Sequence, residues 1–109
     1  MELITRENLD GVCRITLNVP ARLNALSDAM IAALHAVLDD IANDPTIKVV
    51  IIAGGGKAFC SGHDLKEMQA KRDAPDGGSA AFKDLFDRCA AMMARIQSLP
   101  QPVIAQVHG

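Results

Sequence analysis

The strongest constraint on what this chain can fold into lies between residues 49 and 68. Val49-Val50-Ile51-Ile52-Ala53 is an apolar block of strand length, and three glycines, Gly54 to Gly56, follow it directly. The chain then reads Lys57-Ala58-Phe59-Cys60-Ser61-Gly62-His63-Asp64-Leu65-Lys66-Glu67-Met68, and a helix-compatible stretch opens after Gly62 with Asp64 as its cap. A buried strand, a tight turn and a helix start within a few residues leave backbone N–H groups unpaired and facing outward. The helix dipole favours negative charge at such a point. The main-chain N–H of His63 is accordingly the candidate donor to a developing oxyanion. The plainer reading is a half-exposed residue at a helix start with no role. A main-chain donor leaves the side chain free to vary, so the imidazole is not in itself a sign of acid–base chemistry.

The rest of the chain arranges itself around this block. Glu2 to Glu7 and Val12 to Asn18 read as strands joined through Leu9-Asp10-Gly11, since Asp-Gly between alternating segments signals a hairpin. Cys13, Ile15 and Leu17 face the core, while Arg14, Thr16 and Asn18 face water. Pro20 ends the second strand and Ala21 to Leu26 form a loop. Ser27 then caps an amphipathic helix carrying Met30, Leu34, Val37, Leu38 and Ile41 through Ala42, and Asn43-Asp44-Pro45 stops it. Lys48 to Ala53 is a continuous apolar strand, expected to be covered on both faces and to pair in parallel through the intervening helix. Gln69 to Gly78 is polar and bears Pro and Gly, which reads as a mobile loop: a lid or a plain surface segment. A long helix follows from Ser79 to Ser98, with Phe82, Leu85, Phe86, Cys89, Met92, Met93 and Ile96 on one broad face. Pro100 and Pro102 interrupt before a last strand, Val103 to Val107.

Composition excludes several function classes. The chain has 109 residues, a net charge of −2, three Phe and no Tyr or Trp. It offers neither a basic face for phosphate backbones nor aromatic platforms for single strands, so nucleic acid is not an expected partner. No apolar run reaches the ~20 residues of a membrane span, and the N-terminus has no signal or transit character. Cys13, Cys60 and Cys89 are odd in number and widely spaced, which reads as reduced thiols in a cytoplasm-like compartment.

Three segments carry a family resemblance. Lys57 to Met68 resembles the first oxyanion-hole segment of the crotonase superfamily, the enoyl-CoA hydratase/isomerase family. Pro20-Ala21-Arg22-Leu23-Asn24-Ala25-Leu26 resembles its coenzyme A-binding loop, and Pro102 to Gly109 resembles the strand leading to its second oxyanion donor. The resemblance implies an α/β chain forming the N-terminal part of the ββα spiral fold, so that residues 1–109 are a partial domain. It implies an acyl-CoA thioester as substrate, no separate cofactor, no metal and a homo-oligomeric parent, trimer or hexamer. It assigns the His63 amide to the thioester oxygen. Ser61, Asp64 and Leu65 would border the adenine pocket, Leu23 and Ala25 the pantetheine arm, and Arg22 a phosphate. A solvated surface charge is the competing reading for Arg22. The second oxyanion glycine and the usual catalytic carboxylates fall beyond Gly109, so this stretch alone is expected to lack turnover. Hydratases, isomerases, dehalogenases, thioester hydrolases and decarboxylases share this frame, and a non-catalytic acyl-CoA-binding or self-associating module is the alternative.

Other constellations fail on their own terms. Gly54-Gly55-Gly56-Lys57 hints at a phosphate loop, but Ile51 stands where the first glycine belongs and Ala58 where Ser or Thr does. A dinucleotide GxGxxG is excluded by Phe59. Cys60 and His63 have partial metal spacing with no second ligand pair. A Cys60–His63 nucleophilic dyad requires an accessible thiol, whereas Cys60 is expected to be buried. Glu67 lies too early in the chain for the family's carboxylate, His35 reads as a surface residue of the first helix, and His108 stands where the family commonly has Asn.

Overall fold

The computed structural model describes residues 2–109. Eight elements follow one another: β1 (Ile4–Leu9), β2 (Val12–Leu17), a 3₁₀ turn (Pro20–Arg22), α1 (Asp28–Ala42), β3 (Val49–Gly54), α2 (Leu65–Arg72), α3 (Ser79–Ser98) and β4 (Val103–Gln106). The strands form one mixed sheet in the order β1-β2-β3-β4. β1 and β2 pair antiparallel; β2 with β3 and β3 with β4 pair in parallel. Asp10 and Gly11 both take positive φ, 52° and 83°, the twist a two-residue hairpin needs to match its strands.

Strand alternation decides which side becomes the core. Cys13, Ile15 and Leu17 are buried while their neighbours are half-buried. In register beside them lie Val50 and Ile52 of β3. Met30, Ile31, Leu34, Leu38 and Ile41 of α1 join the same apolar cluster, as do Leu85, Cys89 and Met92 of α3. Ile15, Met30, Ile31, Leu38, Ile41, Val50 and Met92 are among its fully buried side chains. Each contributes roughly 1.5–3 kcal/mol by leaving water. The opposite sheet face is only partly covered, since Ile51 is half-buried and Ile104 is exposed. The expectation that β3 is covered on both faces therefore holds fully for one face and in part for the other, where Ala53 is buried.

The helix ends are closed by specific partners. The Ser27 side chain accepts from the Met30 amide at 3.0 Å, and Gln101 donates to the Ile41 carbonyl at the other end of α1 at 2.9 Å. Sequence reading carried the chain out of the helix after Met68, but α2 continues to Arg72. Gln69 to Arg72 are thus ordered helix, and only the turns from Asp73 to Gly78 connect to α3. The reason is a polar junction that no apolar pattern signals. Asp28 at the start of α1 accepts from Lys71 at 2.7 Å and from Arg88 of α3 at 3.0 Å. Glu67 accepts from the Asp28 amide at 2.8 Å, which makes it a structural carboxylate.

The hydrogen bond from Lys71 is the largest influence on Asp28 and holds its carboxyl below the usual value; burial opposes it and Arg88 assists. With the folded pKa lowered, this junction adds stability above the unfolded carboxylate pKa of ~3.9 and loses it as pH falls through the lower folded value. Asp28→Asn is expected to cost up to about 1 kcal/mol at neutral pH, the pair being partly exposed. It should also flatten the fall in melting temperature below about pH 4. An unchanged acid slope in thermal melts would contradict the assignment.

Candidate functional site

The site is assembled where two irregular strips of backbone meet, residues 18–26 and 55–64. Asn24 joins them. It is completely buried, its Oδ1 accepts from the Val19 amide at 2.8 Å, and its Nδ2 donates to the carbonyls of Gly55, Ala58 and Phe59 at 3.0, 2.9 and 3.2 Å. Its backbone is left-handed, φ 54°, which Asn tolerates better than most residues. The main chain continues the union: Ser61 donates to the Leu23 carbonyl, Leu26 to the Gly62 carbonyl, and Asp64 back to the Leu26 carbonyl at 3.0, 2.7 and 3.2 Å.

That last pair fixes the direction of the His63 amide. Leu26 and His63 form a parallel β-bridge in which Leu26 uses the groups on either side of His63. Alternation along an extended strip turns the N–H of His63 away from Leu26. Within residues 61–64 it is the amide without an acceptor among the described residues, since Gly62 donates to the Cys60 thiol at 3.4 Å. It belongs to no helix, because α2 starts at Leu65. Gly62 holds φ at 94° with open space around its Cα, so its conformation, not crowding, calls for glycine. Gly54 is required for the opposite reason: a Cβ there would stand 2.4 Å from the Phe59 carbonyl oxygen.

An open groove of about 570 Å³ is lined by Ala21, Arg22, Ala25, Ser61, His63, Asp64, Leu65, Lys66 and Met68. Six of the seven residues named from the sequence thus converge: Arg22, Ala25, Ser61, His63, Asp64 and Leu65. Leu23 does not line it; it is exposed, and its part is the carbonyl that receives Ser61. Lys66 and Met68 were not named, although both lie in the motif. A depression of equal volume at the C-terminal end of α1 shares no lining residue with the groove; Asn43, Asp44, Ile47 and Lys48 are among those that line it. Those four residues already donate their amides within the protein.

Charge in the groove is organised by Asp64. It is 5% exposed, accepts the Lys66 and Glu67 amides at 3.0 and 3.2 Å, and pairs with Arg22 at 3.1 Å. The cap expected from sequence is present, and Arg22 is a tethered cation, not a free surface charge. The His63 ring is half-buried, with Nδ1 enclosed and unpartnered, and meets Phe86 edge-on at 5.7 Å. Cys60 is half-buried, less covered than expected, and lines a separate apolar cavity of about 270 Å³ with Ile52, Phe59, Met92, Ile96 and Ala105. His108, whose role the sequence left open, bonds through Nε2 to the Gly56 carbonyl at 2.9 Å and accepts the Phe59 amide at 3.0 Å. It braces the same turn. Among the described residues no three His, Cys, Asp or Glu side chains converge on a metal-sized site.

Residues 12–109 match the family model described as enoyl-CoA hydratase/isomerase. The chain belongs to the enoyl-CoA hydratase/isomerase family. Enoyl-CoA hydratase domain-containing protein 3, mitochondrial, from Xenopus laevis is 42% identical over 91% of this chain and 32% of that relative. The Escherichia coli 1,2-epoxyphenylacetyl-CoA isomerase is 34% identical over 100% of this chain and 41% of its own. Among solved structures, an enoyl-CoA hydratase of Mycobacterium smegmatis superimposes with a TM-score of 0.91 at 45% identity, covering 100% of this chain and 41% of that one. The chain therefore spans about a third to two fifths of these relatives, and its mixed sheet with three helices is a partial crotonase fold. The vertebrate relative is named mitochondrial, not cytoplasmic as the cysteines had suggested. Among the described residues no helix is long and apolar enough to cross a membrane.

Asn24→Ala removes one acceptor and the donors that serve three partly buried carbonyls. It is expected to cost about 2–4 kcal/mol, as several partly buried groups lose partners together. Denaturant unfolding measures it, and a loss below about 1 kcal/mol would show that the two strips hold without the clamp.

Proposed function

We propose that the groove receives an acyl-CoA thioester and that the His63 amide stabilises negative charge on its carbonyl oxygen. One observation carries this reading: the main-chain N–H of His63 lies outside any helix and has no acceptor among the described residues, and His63 lines a groove with five more of the expected residues. Proton abstraction beside a thioester, or addition of water across its conjugated double bond, places charge on that oxygen. A single oriented donor is worth roughly 2.7–4 kcal/mol in comparable sites. Family membership supports the thioester class, and the reading follows the relatives' enoyl-CoA hydratase and acyl-CoA isomerase names. Arg22 and Lys66 supply positive charge for phosphates, Ala25 and Met68 apolar wall, and Ser61, Asp64 and Leu65 the adenine side. The full-length parent would be a homo-oligomeric hydratase or isomerase without a separate cofactor, in a reducing compartment where its cysteines stay free.

No carboxylate of residues 2–109 is placed to act as base here. Asp64 is engaged by two amides and Arg22, and Glu67 by the Asp28 amide. The 109-residue chain should therefore bind acetyl-CoA without hydrating crotonyl-CoA. Titration calorimetry with acetyl-CoA and a hydration assay test both halves. Absence of binding at high micromolar ligand would remove the acyl-CoA reading, and turnover by this chain alone would overturn the claim that its base lies elsewhere.

A second reading has its own observation. Phe86, Met93, Ile104 and Val107 are 48%, 45%, 53% and 69% exposed, more apolar surface than isolated residues require. A self-associating module is the function they favour. Sedimentation should then show dimers or larger species at micromolar concentration; a monomer that binds acetyl-CoA would exclude this alternative.

A further inference from the structure

Exposed aromatic surface adjoins the candidate oxyanion donor. His63 lines the groove, and its ring meets Phe86 of α3 with 5.7 Å between centroids at 68°. Phe86 in turn stacks on Phe82, 6.3 Å away at 16°. Phe86 is 48% exposed, so part of its ring remains free for a further partner. One and two turns further along α3, Ala90 and Met93 are exposed as well, and helical spacing puts them on the face that carries Phe86. The charges of α3 already have partners: Lys83 pairs with Asp87, Arg88 with Asp84 and Asp28, and Arg95 with Asp39. The apolar cavity that Cys60 lines is a separate space, since neither His63 nor Phe86 lines it.

We propose that the stripe beginning at Phe86 receives the acyl group of the thioester, and that Phe86 selects acyl groups ending in an aromatic ring. The proposal rests on the acyl-CoA reading of the groove. A thioester carbon bears sulfur on one side and the acyl group on the other. With the coenzyme along the groove and the carbonyl oxygen at the His63 amide, the acyl group leaves past His63, away from the coenzyme. Phe86 is an exposed apolar side chain that touches His63 and lies outside the groove lining. An aromatic group joins the existing array of rings through offset or edge-on contacts, which are directional and add to the gain from area alone. An aliphatic group of equal size has only the area. A carboxylated acyl group finds no free counter-ion on α3, because Lys83, Arg88 and Arg95 are committed to carboxylates.

The test compares phenylacetyl-CoA with cyclohexylacetyl-CoA, which share the coenzyme, the carbonyl and the ring size and differ in aromaticity. In the unmodified chain, calorimetry should show the phenyl ligand binding roughly 2- to 10-fold more tightly, the range of one aromatic pair. Phe86→Leu, apolar but not aromatic, should bring that ratio close to one. Nuclear Overhauser contacts between the ligand's phenyl protons and the Phe86 ring of the unmodified chain provide the reading if the variant fails to fold by circular dichroism or binds neither ligand. A ratio of one or less in an unmodified chain that binds acetyl-CoA overturns this proposal alone. So does a folded Phe86→Leu chain that keeps the ratio, or bound phenylacetyl-CoA without contacts to Phe86. Failure of all three coenzyme A thioesters to bind removes the acyl-CoA reading and this proposal with it.

Discussion

One buried amide side chain determines where the site is. Asn24 connects the end of β2 to the turn after β3 and to the strip that leads into α2, using its oxygen once and its nitrogen for three carbonyls. Those backbone groups lie in irregular segments and have no ladder to pair with, so their alternative would be water. The clamp excludes water from the junction and aligns Leu26 beside His63, which in turn rotates the His63 amide outward. Binding geometry here is a property of main chain arranged by one side chain. That explains why an imidazole can occupy the donor position without taking part through its ring nitrogens.

Electrostatics follow the same logic. A buried carboxylate next to a candidate oxyanion donor would oppose any developing negative charge. Asp64 avoids this because its charge is already matched by two helix amides and by Arg22. Asp28 repeats the arrangement at the other end of α2, where Lys71 and Arg88 converge on it. The short helix α2 buries no residue of its own. It is held by these polar contacts at both ends, with Met68 packing on the core. The groove wall it forms is therefore an electrostatic construction more than a hydrophobic one.

The sequence made the regular parts legible. Asp10-Gly11 marked the hairpin, Ser27 the cap of α1, and the apolar spacing from Phe82 to Ile96 gave α3 its limits of Ser79–Ser98, because each signal is local and periodic. The convergence of loop 20–26 with strip 61–65 was legible only through likeness to a family, since nothing in either segment shows that they touch. What stayed hidden were long-range polar contacts. Asn24 looked like one loop residue among several, the extension of α2 to Arg72 depends on a partner 43 residues earlier, and His108 reaches back 52 residues to the Gly56 carbonyl.

The central claim is that the peptide nitrogen of residue 63 meets the thioester oxygen. The most direct measurement is the amide proton shift of His63 in a nitrogen-15 correlation spectrum during titration with acetyl-CoA, with S-ethyl-coenzyme A as control. The account predicts a downfield displacement specific to acetyl-CoA, larger for His63 than for Ser61 or Asp64, whose amides already have acceptors. Equal displacement by both ligands, or none at His63 while its neighbours move, would contradict it.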